Sequence, residues 1–109
     1  KIIKCKIKKR ILKKNMGWCD DSRSNKYNKE IIFPFKYGAE RLYKKNNIYD
    51  FFINIKYNCK PTIKGKGSAI FLHLTNKKYK PTKGCVAVTK EDFLKILPLI
   101  NKNTKISIN

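Results

Sequence analysis

Two runs decide the reading of this chain: SAIFLHL, from Ser68 to Leu74, and PTKGCVAV, from Pro81 to Val88. The first is strongly apolar and carries β-branched and aromatic residues, the signature of a central strand. The second opens on turn formers and continues from Gly84 to Val88 as another short buried strand. Between them, Thr75 to Lys83 is rich in lysine and turn formers and reads as a connection. His73 stands at the end of the first run and Cys85 at the start of the second, twelve positions apart. Adjacent strands joined in this way bring both side chains to one end of a sheet. A thiol attacks as its thiolate, and a neighbouring imidazole takes the proton. Gly84 lets the backbone turn tightly, so that the N–H groups of Gly84 and Cys85 face a developing oxyanion. The structural alternative is a cysteine acting as a small hydrophobe and a histidine satisfied in the core.

Downstream, Thr89 followed by Asp92 is a helix-start signal of capping-box type, with Asp in place of the usual Glu. Phe93, Leu94, Ile96 and Leu97 give that helix its apolar face, and Pro98 marks its end. TKISI, from Thr104 to Ile108, alternates and reads as a closing strand. Upstream, YDFFINIKY from Tyr49 to Tyr57 is aromatic and β-branched and reads as a strand. Ala39, Leu42 and Tyr43 fall at helical spacing, predicting a short helix within Lys36 to Lys45 that ends at Asn46-Asn47. GWCDDSRSNKYN, from Gly17 to Asn28, is dense in turn formers and reads as a long loop, with Trp18 a core anchor and Asp20, Asp21 and Ser22 capping a turn in preference to binding a metal. Ile2 to Ile7 partly alternates apolar residues with lysine, the pattern of a half-exposed strand. The expected fold is mainly β with short helices (α+β), a single domain over residues 1–109.

The 27 basic against 7 acidic residues give a net charge of +20. Such a field attracts polyanions, whether nucleic acid, anionic lipid or acidic wall polymers. Arginine, which suits bidentate contacts to phosphate or guanine, occurs only at Arg10, Arg23 and Arg41. The joint enrichment of lysine, isoleucine and asparagine is what an AT-rich coding sequence produces, so much of the charge reads as solvated surface. A basic nucleic-acid- or polyanion-binding module without catalysis is the alternative reading, although no RNA-binding signature is present. No run of 18 or more apolar residues occurs. Cys5, Cys19, Cys59 and Cys85 form no CxxC and there is one histidine, so neither a metal site nor a cofactor is expected.

His73, a variable connection and Thr82-Lys83-Gly84-Cys85 resemble the hallmark of the YkuD-like L,D-transpeptidase family. GWCDD from Gly17, YDFFINIKYN from Tyr49, GSAIFLHL from Gly67 and PTKGCVAVTKEDF from Pro81 resemble, in order, the blocks of one bacterial branch of it. The resemblance implies a β-sandwich or barrel catalytic domain, with the family's N-terminal strands missing from this chain. It implies Cys85 as nucleophile, His73 as base, an oxyanion hole of the Gly84 and Cys85 backbone, and substrate contacts at Thr82 and Lys83. Lys83 stands where many members carry histidine, and Ala87 near where they carry arginine or asparagine. The implied reaction is peptidoglycan 3→3 cross-linking, with L,D-carboxypeptidase activity when water is the acceptor. The implied partners are stem peptides and no specific nucleic acid, with electrostatic association to acidic wall polymers or an anionic membrane. The implied protein is a monomer, exported to the periplasm or cell envelope. A backbone carbonyl commonly orients the histidine in this family.

Overall fold

The computed structural model describes residues 5–75 and 84–107. Two three-stranded sheets and a helix stack in layers. In the first sheet β1 (Met16–Cys19) lies between β2 (Glu30–Ile32) and β3 (Ala39–Arg41), antiparallel to both. In the second, β5 (Phe71–Leu74) lies between β4 (Phe52–Asn54), antiparallel, and β6 (Val86–Val88), parallel. Helix α1 (Lys90–Ile96) follows, ending in a short 3-10 turn over Leu97–Leu99.

Strand alternation on β5 explains the layering, because successive side chains point to opposite faces. Phe71 and His73 face one way; Leu72 and Leu74 face the other. The first face meets the other sheet, where Met16, Trp18, Leu42, Tyr49, Ala69 and Phe71 form one core. Trp18 and Tyr49 both meet Phe71 edge-on, with ring centroids 5.1 and 5.7 Å away. The second face meets α1, where Leu72, Leu74, Phe93 and Leu97 form the other core. The mainly β, α+β expectation is met; the two sheets stay open and form no barrel among the described residues.

The helix start is where the sequence puts it. Thr89 accepts a bond from the Asp92 N–H at 3.2 Å, capping α1, and Pro98 lies just beyond its end. Other elements differ. Ala39 to Arg41 is a strand rather than part of a helix, because pairing with β1 satisfies its backbone and overrides the helical spacing. Of Gly17 to Asn28, the first residues belong to the buried β1 and only the rest is loop. Gly17 marks close packing, since a Cβ there would come within 2.9 Å of the Glu40 carbonyl. Trp18 is a core anchor, as expected, and Asp21 does hold a turn, accepting from the Arg23 and Gly38 N–H groups. The strand from Tyr49 to Tyr57 shortens to Phe52–Asn54: Asn54 caps the Lys56 N–H at 2.8 Å, and Lys56 turns to φ 63°. Thr104 to Ser107 has the expected alternation but no partner strand among the described residues, and Ile106 is exposed. Ile108, the last residue of that run, lies outside them. Cys5 to Ile7 likewise forms no strand among the described residues; Ile2 to Lys4 lie outside them.

Candidate active site

His73 sits third in β5, level with Ala87 of β6. The same register carried back one residue sets Cys85 beside Phe71. The Phe71 N–H accordingly points at the Cys85 sulfur, 3.4 Å away. Cys85 packs against the inter-sheet core, and His73 meets Tyr49 of that core edge-on at 5.5 Å. Both candidate residues therefore share the inner face of one parallel strand pair, as diagonal neighbours.

The imidazole is buried, at 7% exposure. Its Nδ1 lies 2.8 Å from the Leu74 carbonyl oxygen. A carbonyl only accepts, so Nδ1 carries the hydrogen and Nε2 presents the lone pair. The histidine is thus set in the tautomer that a base working through Nε2 requires.

The thiol is held by backbone on two sides. Sγ donates to the Ala69 carbonyl at 3.0 Å and receives the Phe71 N–H. Burial pushes the thiol pKa up; the Phe71 N–H opposes this, Glu40 adds to it, and Lys44 opposes it. At rest the sulfur is therefore a protonated donor, and it needs a base before it attacks.

Ala69 adopts φ 59°, a left-handed conformation that a residue with a Cβ rarely takes. Its N–H donates to Asn28 Oδ1 at 3.2 Å. Asn28 is itself buried: Oδ1 also takes the Trp18 indole N–H at 3.0 Å, and Nδ2 donates to the Tyr57 and Asn58 carbonyls. This network ties β1 to the segments after β4 and before β5 and fixes the bend that aims the Ala69 carbonyl at the thiol. Asn28, Ala69 and Phe71 were not among the residues singled out from sequence. The asparagine inside a turn-rich segment was the only signal, and it did not say which backbone Asn28 would hold.

Gly84 has φ 95°, and a Cβ there would sit 3.1 Å from Ile70 Cδ1, so the tight turn expected before Cys85 is present. An open cleft of about 1190 Å³ reaches Gly84 on the Leu72 side of the sheet, with Ile53, Ile70 and Leu72 on its walls beside Lys56, Lys102 and Lys105; neither Cys85 nor His73 lines it. Thr82 and Lys83 lie outside the described residues. All four cysteines are free thiols, and Cys19 is fully buried on β1. Among the described residues no cluster of three metal-ligating side chains occurs, and no helix is long and apolar enough to cross a membrane.

No curated protein and no solved structure matches the chain. A family model does: the L,D-transpeptidase catalytic domain, YkuD, matches residues 8–108, from the basic N-terminal segment through both sheets and the helix. With a cysteine and an oriented histidine on one inner sheet face and this match over nearly the whole sequence, the chain belongs to the YkuD family of L,D-transpeptidase catalytic domains, cysteine-dependent enzymes of the cell envelope.

Proposed function

We propose that the chain is a peptidoglycan L,D-transpeptidase with Cys85 as nucleophile and His73 as base. The observation that carries this reading is the common face of Cys85 and His73, with Nδ1 tied to Leu74 and Nε2 left as acceptor. The thiol proton, held toward the Ala69 carbonyl at rest, passes from Sγ to Nε2 of His73. Sγ then attacks the carbonyl between the L-centre of meso-diaminopimelate and the terminal D-alanine of a stem tetrapeptide. The N–H groups of Gly84 and Cys85 receive the negative oxygen of the tetrahedral intermediate. As that intermediate collapses, the imidazolium returns its proton to the departing D-alanine amine, leaving a thioester on Cys85. The side-chain amine of a second diaminopimelate attacks the thioester and gives a 3→3 cross-link; water gives the tripeptide instead.

Thr82 and Lys83 precede Cys85 in sequence and are assigned to substrate contact. The substrate places the working enzyme outside the cytoplasm. Incubation with disaccharide-tetrapeptide, followed by mass spectrometry beside Cys85→Ala, tests the assignment. D-alanine release with a dimeric product, lost in the variant, is the expected result. Equal turnover by the variant would contradict it.

A further inference from the structure

Across from the inner face that holds Cys85 and His73 stand a phenol and an ion pair outside the family motif. Tyr49 is buried at 4% exposure and stands edge-on to the His73 ring, with an interplanar angle of 88°. Its hydroxyl donates to Glu40 Oε2 at 3.0 Å. Lys44 reaches the same oxygen at 2.6 Å, and its ammonium lies 5.0 Å from the Tyr49 ring centroid. Four groups are thus linked in a row, from Lys44 through Glu40 and Tyr49 to His73. The row crosses from one sheet to the other. Glu40 lies on β3 and is tied to its neighbours by the ladder with Trp18; His73 lies on β5.

We propose that Tyr49, Glu40 and Lys44 are positioning residues, in which Tyr49 walls the imidazole of His73, Glu40 anchors the phenol, and Lys44 neutralises the Glu40 carboxylate. This rests on Cys85 and His73 being the reacting pair. The physical need is specific. A phenol buried against an imidazole requires a partner for its hydroxyl, and a carboxylate is a strong one. A bare carboxylate on this face would, however, oppose formation of a thiolate. Lys44 offsets that field while leaving the hydrogen bond to Tyr49 intact. The opposing influences of Glu40 and Lys44 on the thiol agree with this division of roles. Glu40 from β3, Lys44 from the segment after it and Tyr49 before β4 act electrostatically on the Cys85 thiol, and Tyr49 also packs on the His73 ring.

Two readouts on the full chain test the proposal without needing the substrate. The first is alkylation of Cys85 by iodoacetamide, followed by peptide mass mapping from about pH 6 to about pH 10. Glu40→Gln should move the Cys85 midpoint to lower pH and Lys44→Met to higher pH, each by on the order of half a pH unit, the effect of one partly solvated charge. A general loosening of the fold would move both the same way. The Lys44 side chain is 29% exposed, so Lys44→Met is decisive alone should Glu40→Gln fail to fold. An unmoved midpoint in Lys44→Met, or shifts of one sign in both variants, would overturn the electrostatic role. The second readout uses His73 as the sole histidine, whose ring signals in NMR are unambiguous. Tyr49→Phe should keep the ring-current shift of those signals and Tyr49→Leu should abolish it. Signals unchanged in Tyr49→Leu would overturn the positioning role, whatever peptidoglycan turnover shows.

Discussion

The Cys85 thiol donates to the Ala69 carbonyl at 3.0 Å, and the N–H of that same Ala69 is held by Asn28. One strained residue thus links the reactive sulfur to a buried polar network that joins β1 to the segment before β5. Asn28→Ala should leave the Trp18 indole and the Ala69 N–H without their acceptor. Each orphaned buried donor costs about 1–3 kcal/mol, so a loss near 3 kcal/mol is expected from chemical denaturation. A loss under about 1 kcal/mol would show that the network is not what holds Ala69.

The thiol also imposes a pH dependence on stability. Its folded-state pKa is raised by burial, so the neutral thiol is favoured in the folded protein. The contribution is full below the unfolded thiol value of about 8.5 and is lost as pH rises through the folded value. The melting temperature of the wild type should therefore fall relative to Cys85→Ala between about pH 8 and about pH 10. Tyr49 shifts in the same direction chiefly through its own burial, which both proteins share. Parallel curves would contradict the burial of the sulfur.

Gly84 carries the turn into Cys85 at φ 95°. Gly84→Ala places a Cβ in a left-handed conformation and against Ile70, at a cost of about 1–2 kcal/mol. Activity should fall much further than stability, because the displaced backbone is the one assigned to the oxyanion. A fall of about 100-fold in kcat with KM little changed is expected in steady-state assays. A KM effect alone would move Gly84 out of that role.

Helix α1 closes the outer face of the second sheet through Phe93, 2% exposed and packed against Phe51 with ring centroids 5.9 Å apart at a 39° tilt. Phe93→Ala should lose about 3–5 kcal/mol. Thr89→Ala, which removes the cap, should lose about 1 kcal/mol and Thr89→Ser much less. Urea unfolding of the three variants checks the order. Equal losses for Thr89→Ala and Thr89→Ser would mean that the hydroxyl is not the cap.

Where local chemistry and tertiary structure agree, the sequence is legible. Thr89, Asp92 and Pro98 bracket α1, and the apolar run through Phe71 and Leu72 forms the central strand. Gly84 shows its need for a left-handed turn through its identity alone. Elements made by pairing are less legible. Gly17 reads as a loop former until the approach of the Glu40 carbonyl explains it, and Ala39 to Arg41 becomes a strand only because β1 lies beside it. At the site, His73 and Cys85 stand out by residue type. Their backbone partners do not, because any residue offers a carbonyl or an N–H; Leu74, Ala69 and Phe71 acquire those positions from the fold. Glu40 and Tyr49 lie nine positions apart and meet through a side-chain hydrogen bond with no local periodicity to announce it.

The central claim is that Cys85 carries the acyl group. The most direct measurement is the mass of the protein mixed with stem tetrapeptide and quenched in acid, with the adduct located by peptide mapping. A tripeptidyl thioester is expected, formed with loss of D-alanine and confined to the Cys85 peptide, and little or none in His73→Gln. An adduct on Cys5, Cys19 or Cys59, or turnover that persists in Cys85→Ala, would contradict it.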